Sequence, residues 1–197
     1  DLTLTGALTV DGASATIKLD GNYPVGTDNV ALGDTALDSV EAGGINNTAI
    51  GSKAGTAITT GDYNTALGSR AMEDNTTGSQ NTAVGTNALK ANTEGGKNVA
   101  LGFEALSTSS TLGNTTAIGY QALKSNQNTG YQATAVGYLA LTSNTTGAGN
   151  TAMGRETLEA NTTGASNTAV GFSSLKANTT GSTNSAFGNY ALYSNTT

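Results

Sequence analysis

The sequence predicts an all-β protein, a β-solenoid (a β-roll or β-helix) of ten 17-residue coils. A short motif ending in A-x-G occurs ten times, and its glycines run from Gly33 to Gly188. Successive glycines are 17 residues apart, apart from two intervals of 18. Such a constant period is the signature of repeat architectures, in which each unit stacks on its neighbours.

The consensus N-T-A-(V/I/L)-G-x-x-A-L-x-x-N-T-T-G favours strands and turns over helices. Each copy carries two or more Gly and several Asn and Thr, which are poor in helix interiors. No apolar stripe of helical period persists past one turn. A helical solenoid is the competing interpretation, and disorder is another, because Leu, Ile, Val and Phe make up only 33 of 197 residues.

Two adjacent positions of the motif predict opposite faces of a strand, since neighbouring strand residues point to opposite sides. All ten copies have Ala two residues before the glycine, and we expect this methyl-only face to pack against another chain. The apolar residue after it varies in size, so we expect it inside the coil with the Leu of the later A-L pair. The proposed inter-chain positions are Ala49, Ala66, Ala83, Ala100, Ala117, Ala135, Ala152, Ala169 and Ala186. The proposed coil core is Ile50, Leu67, Val84, Leu89, Leu101, Leu106, Ile118, Leu123, Val136, Leu141, Leu158, Val170 and Leu175.

Stacking of the coils places identical residues above one another. Ten coils at about 4.8 Å each make a rod roughly 48 Å tall. The Asn of N-T-T-G suits a turn that needs left-handed backbone, and stacked Asn side chains can hydrogen-bond along the axis.

The chain divides into three predicted regions. Residues 1–20 alternate Leu or Val with Thr and predict an N-terminal strand module. Residues 21–28 contain the only proline, Pro24, and predict a linker. Residues 29–197 form the repeat, which we expect to continue beyond Thr197 because a solenoid needs a polar cap.

The composition argues against most kinds of catalytic and metal-binding site. His, Cys and Trp are absent, so the commonest general base, disulfides and thiolate metal sites are excluded. The net charge of −6 is confined to residues 1–44, while residues 45–197 carry seven acids and seven bases. We therefore expect no enzymatic activity, no cofactor, no nucleic-acid binding and no membrane insertion.

The N-T-A-x-G-x-x-A-L-x-x-N-T-T-G repeat resembles the long repeat arrays of bacteriophage tail-fibre proteins. Its N-x-A-x-G core is also similar to the head repeats of trimeric autotransporter adhesins, and the L-T-L-T-G-A-L-T-V-D-G opening looks like the strand modules that precede such arrays. The resemblance implies a homotrimeric fibre on a virion or cell surface.

Four groups of residues are secondary candidates. Asp28, Asp34, Asp38 and Glu41 could ligate Ca²⁺, although solvated surface charge explains them better. N-x-T at Asn75, Asn144, Asn161 and Asn178 matches a glycosylation pattern, although turn and ladder roles explain it better. Phe103, Tyr120, Tyr138 and Phe172 could stack on sugars, although packing between coils or chains is the stronger interpretation. Glu156 and Glu159 lack a predictable cleft, so no catalytic residue is assigned.

The function expected from these features is the structural shaft of a trimeric phage tail fibre involved in host attachment. The alternatives are a bacterial cell-surface adhesin or extracellular filament and, from a different class, an ice-binding solenoid. The expected partners are copies of the chain itself, other fibre segments and a host glycan or protein at a tip.

Overall fold

The chain folds into an all-β parallel solenoid. The computed structural model describes residues 17–20, 28–126 and 132–196, which contain no helix. No helix in these ranges could therefore cross a membrane. The predicted all-β solenoid with coils of about 17 residues is confirmed. The predicted strands at residues 2–10 and most of the predicted linker (residues 21–27) lie outside the described residues.

Eleven strands form one sheet in sequential order. They are β1 Ile17–Asp20, β2 Asn29–Leu32, β3 Thr48–Ile50, β4 Thr65–Leu67, β5 Thr82–Val84, β6 Val99–Leu101, β7 Thr116–Ile118, β8 Thr134–Val136, β9 Thr151–Met153, β10 Thr168–Val170 and β11 Ser185–Phe187. Strands β2 to β11 are parallel and each belongs to one coil, whereas β1 pairs antiparallel with β2.

The register of the parallel strands follows the repeat. Ala83 lies between Ala66 and Ala100 on the neighbouring strands, and Val84 lies between Leu67 and Leu101. The interval between β2 and β3 is one residue longer than 17, yet Ala31 still pairs with Ala49. The extra residue is therefore accommodated outside the strands.

The interior of the coil is built from small residues and one Leu per coil. The strand alanines are buried, as are the Ala and Leu of the later A-L pair, such as Ala88 and Leu89. Six of the predicted core leucines are confirmed as buried. They are Leu89, Leu106, Leu123, Leu141, Leu158 and Leu175.

The predicted orientation of the strands is wrong. The nine alanines proposed for inter-chain packing (Ala49, Ala66, Ala83, Ala100, Ala117, Ala135, Ala152, Ala169 and Ala186) lie inside the coil of a single chain. The variable apolar residues proposed for the core lie on the outside. They are Ile50, Leu67, Val84, Leu101, Ile118, Val136 and Val170, and none of them is buried.

The physical reason is the width of the coil. Each turn of the chain is short, so the strand wall lies close to the wall that carries the buried Leu. Only a methyl group fits on the strand side, because a larger side chain would push the two walls apart. The outward position is not limited in this way, which explains why it varies from Val84 to Phe187.

Left-handed backbone recurs at three positions of each coil. In the coil of β5 these positions are Gln80, Asn87 and Leu89, with φ of 62°, 57° and 52°. The glycine of A-x-G adds a fourth positive φ, 128° at Gly85. These residues bend the chain sharply enough to close a coil in 17 residues.

Several coils depart from the consensus, and in two of them one departure is balanced by another within the same coil. Gly55 replaces the core Leu, and the side chain of Ile58 fills that space, since a Cβ on Gly55 would lie 2.9 Å from Ile58 Cδ1. Elsewhere Ser109 replaces the turn Asn, and Leu112 replaces the turn Gly and is fully buried. The interior volume is therefore conserved coil by coil.

Candidate interaction surfaces

The outer side of the strands forms a continuous surface, here called the sheet face. It consists of Val30 and Leu32 of β2 and the first and third residues of strands β3 to β11. Leu101, Met153 and Phe187 are 43%, 45% and 69% exposed, which is high for large apolar side chains. A contiguous exposed apolar surface of this kind marks an interaction site.

The sheet face carries no charge and has two columns. One column is threonine at most levels, with Val30, Val99 and Ser185 as the exceptions, and the other column is apolar throughout. In the described residues the threonine hydroxyls of this face donate no hydrogen bond to the protein. The face therefore offers methyl groups and unpaired hydroxyls at a spacing of about 4.8 Å.

An aromatic column lies beside the sheet face, at the position after the A-x-G glycine. The rings of Phe103 and Tyr120 have centroids 5.4 Å apart and are inclined by 13°. Those of Tyr120 and Tyr138 are 5.3 Å apart and inclined by 14°. The guanidinium of Arg155 continues the stack, 5.5 Å from the Tyr138 centroid and 5.4 Å from that of Phe172.

This stacking decides between the two interpretations of the aromatic residues. A sugar stacks on the free face of a ring, but here the ring faces cover one another along the rod axis. Packing between coils is therefore confirmed for Phe103, Tyr120 and Tyr138. The edges of these rings remain partly exposed and extend the apolar surface sideways.

Two columns of buried asparagines hold successive coils together. The strand asparagines stand at the start of most coils, with Thr115 and Ala133 in their place before β7 and β8: Asn64 Oδ1 accepts a hydrogen bond of 3.0 Å from the Asn81 backbone N–H. The turn asparagines open N-T-T-G: Asn161 Nδ2 donates to Asn144 Oδ1 at 2.8 Å. Both columns also donate to the turn glycine carbonyl, so Gly164 accepts from Asn150 and Asn161.

The turn asparagines cannot carry glycans in the folded chain. Asn75, Asn144, Asn161 and Asn178 are fully buried, and their side-chain amides donate hydrogen bonds. The turn and ladder interpretation of N-x-T is therefore confirmed. The first threonine of each such turn is also engaged: Thr162 Oγ1 donates to the Thr179 carbonyl at 3.0 Å.

A group of cations that sequence reasoning missed lies on the turns after β3 to β5. Lys53 Nζ is 3.6 Å from Glu73 Oε1, while Arg70 Nε and Lys90 Nζ are 3.9 and 3.5 Å from Glu73 Oε2. We call Lys53, Arg70 and Lys90 the cation cluster. The signal available in the sequence was the concentration of bases two and five residues after the A-x-G glycine.

Farther along the rod, Lys124 and Glu104 form an ion pair of 2.7 Å. The hydrogen bond from Lys124 holds the pKa of Glu104 below its ordinary value, although partial burial opposes this. Gln121 also donates to Glu104, at 2.8 Å. This acid is therefore a carboxylate fixed by its neighbours.

Glu156 and Glu159 share one cation. Lys176 Nζ lies 2.7 Å from Glu156 and 3.1 Å from Glu159, and Arg155 lies 2.7 Å from Glu156. The hydrogen bond from Lys176 holds the pKa of Glu156 below its ordinary value. Glycoside cleavage needs one of two acids to stay protonated near neutral pH, so this arrangement does not favour it.

The N-terminal acids are not assembled into a metal site in the described residues, where no group of three or more potential ligands lies close together. No protein-family model, no curated protein and no solved structure matches this chain.

Proposed function

We propose that the chain is a self-associating structural shaft, the rod of a homotrimeric tail fibre that holds an attachment segment away from its anchor on a virion. A bacterial surface adhesin or extracellular filament is the alternative within the same class. The observation that carries the proposal is the sheet face, a long and uncharged surface with exposed apolar side chains.

The sheet face fits best against the same face of other copies, and in a trimer the three faces turn toward a common axis. Its absence of charge means that identical surfaces meet without repulsion, and its regular spacing is matched by any other copy of the solenoid. The strands alone present about 45 Å by 10 Å. This is roughly half of the ~800 Å² that each partner buries in a stable interface, and the aromatic column widens the contact.

The proposal predicts that charge on the sheet face abolishes association. The native chain should scatter light as a particle of about three times its 19.5 kDa. Leu101→Asp with Met153→Asp should yield monomers, because burying unpaired carboxylates costs several kcal/mol. Circular dichroism should remain that of strand and turn, since both side chains point outward.

The matched control is Thr77→Asp with Thr180→Asp, which adds the same charge at exposed turn positions away from the sheet face. This variant should associate like the native chain. A native particle of 19.5 kDa, or equal loss of association in both variants, would refute association through the sheet face.

An ice-binding solenoid is a candidate from a different class, favoured by the unpaired threonine hydroxyls of the sheet face. The apolar column argues against it, because Met153 and Phe187 project farther than Val84 and make the surface uneven. The turn threonines already donate to neighbouring coils. Thermal hysteresis at micromolar protein would favour ice binding over the shaft.

A further inference from the structure

The cation cluster has an excess of positive charge that its own carboxylate does not neutralise. Three cations surround Glu73, so these four groups carry a charge of +2 in a chain whose net charge is −6, and the exposed Asp74, whose backbone N–H donates to the Lys90 carbonyl, brings the patch to +1. The side chains of Arg70 and Lys53 are 50% and 46% exposed, whereas that of Glu73 is 17% exposed. The surface seen by solvent is therefore cationic, with the carboxylate beneath it.

The donors of these cations are uncommitted. Glu73 Oε2 is buried and has no hydrogen-bond partner, although Arg70 and Lys90 lie within 3.9 Å of it. Lys53 is likewise beyond hydrogen-bond distance of Oε1. By contrast, Lys124 lies at 2.7 Å from its acid. The cation cluster therefore keeps its N–H groups for a ligand, and charge-assisted hydrogen bonds are the strong ones.

An open depression adjoins the cluster. It has a volume of about 410 Å³, and Arg70 and Lys90 contribute its positive charge, whereas Lys124 is paired with Glu104. Asn87, Ser107, Thr108 and Glu104 also line it. Thr108 and Glu104 are engaged within the protein, but Asn87 and Ser107 are hydrogen-bonding partners for hydroxyl groups, so the depression combines anion binding with recognition of polyols.

We propose that the cation cluster and this depression bind an acidic polysaccharide, a linear glycan that carries carboxylate or sulfate groups. Lys53, Arg70 and Lys90 come from three successive coils, about 4.8 Å apart along the axis, which suits a polymer with evenly spaced anions. Nucleic acid fits less well, because so few cations neutralise few phosphates and the chain as a whole is acidic.

The site is separate from the sheet face. Its residues lie on the turns that follow the strands, not among the outward strand residues. The inference therefore stands independently of the proposed association, and a monomer produced by sheet-face substitutions should bind the polysaccharide as the native chain does.

The test is titration calorimetry with polygalacturonate and dextran sulfate, with neutral dextran for comparison. Both acidic polymers should bind, and raising the salt from about 0.05 to about 0.2 M should weaken binding roughly tenfold, because exposed charges are screened. Replacing Lys53, Arg70 and Lys90 together by Gln should weaken binding about tenfold or more. Glu73→Gln should strengthen it by about threefold, since it removes the carboxylate that lies within 4 Å of all three cations.

The control is Lys97→Gln, which removes one positive charge at a position outside both the cation cluster and the depression. It should leave affinity within about twofold. The proposal is overturned if neither acidic polymer binds, if neutral dextran binds equally well, if Lys97→Gln weakens binding as much as the triple variant, or if duplex DNA binds more tightly than the polysaccharides. Unchanged or weaker binding by Glu73→Gln would also overturn it, whatever the fold of the triple variant.

Discussion

At the scale of the residue, the chain adopts left-handed backbone with side chains that rarely adopt it. Thr183 has φ of 60°, which is unfavourable for a β-branched residue. Gly149 occupies the equivalent position of another coil, with φ of 65°. The same backbone conformation is therefore strained at Thr183 and unstrained at Gly149. The strain is confined to this position, because the rest of the coil imposes the conformation.

We predict that Thr183→Gly raises the free energy of unfolding by about 1 kcal/mol, because glycine adopts positive φ at little cost. The reciprocal change, Gly149→Thr, should lower it by a similar amount. A Cβ at Gly149 would have no contact closer than 3.7 Å, so crowding does not contribute. Chemical denaturation of the two variants measures the effect, and changes of the same sign would contradict this account.

At the scale of the element, stacked glycines let adjacent coils approach. A Cβ on Gly119 would overlap with the carbonyl oxygen of Gly137. A Cβ on Gly68, Gly85 or Gly154 would be similarly close to the backbone of the next coil. Gly188 has no atom within 4 Å of such a Cβ. The glycine is therefore required by contact between coils as well as by its φ.

Gly119→Ala should lower the free energy of unfolding by about 3 kcal/mol or more, because the backbone of the next coil would have to move. Gly188→Ala should cost only about 1–2 kcal/mol, which is the cost of its φ alone. Thermal unfolding followed by circular dichroism compares the two variants. Equal melting temperatures of the two variants would show that contact between coils does not contribute to the cost of replacing the glycine.

At the scale of the whole molecule, ion pairs link coils on the side of the turns. Glu156 belongs to the coil of β9, and Lys176 to that of β10. The pKa of Glu156 is lowered, so its stabilisation is present above the ordinary Glu pKa and is lost as pH falls through the lowered value. The pKa of Lys176 is raised, mainly by Glu156, so its stabilisation is present below its ordinary pKa and is lost at more alkaline pH.

Lys176→Gln should therefore lower the melting temperature at pH 7, by no more than about 3 °C for an exposed pair. The difference from the native chain should shrink as pH falls through the lowered pKa of Glu156, because this acid is then protonated in both proteins. Lys97→Gln is the control, since Lys97 forms no ion pair in the described part of the chain. A difference in melting temperature that is constant from pH 7 to pH 3 would contradict the assignment of this stabilisation to the ion pair of Glu156 and Lys176.

Much of this structure could be predicted because it repeats. Ten A-x-G motifs at a constant spacing predict coils, the strand in each coil and the alignment of equal residues, and the parallel register of Ala66, Ala83 and Ala100 follows directly. The Asn of N-T-T-G predicts a turn and an axial ladder. These features depend on local propensity and period, which are properties of the sequence itself.

Only the tertiary structure decided which strand face points inward. Alternation requires Ala83 and Val84 to face opposite sides, but it assigns neither one to the interior. The distance between the two walls of a coil makes that choice, and it follows from left-handed leucines such as Leu89 and Leu106 that no propensity predicts. Because the coil is narrow, the methyl group is buried and the larger apolar side chain is left outside, where a partner can cover it.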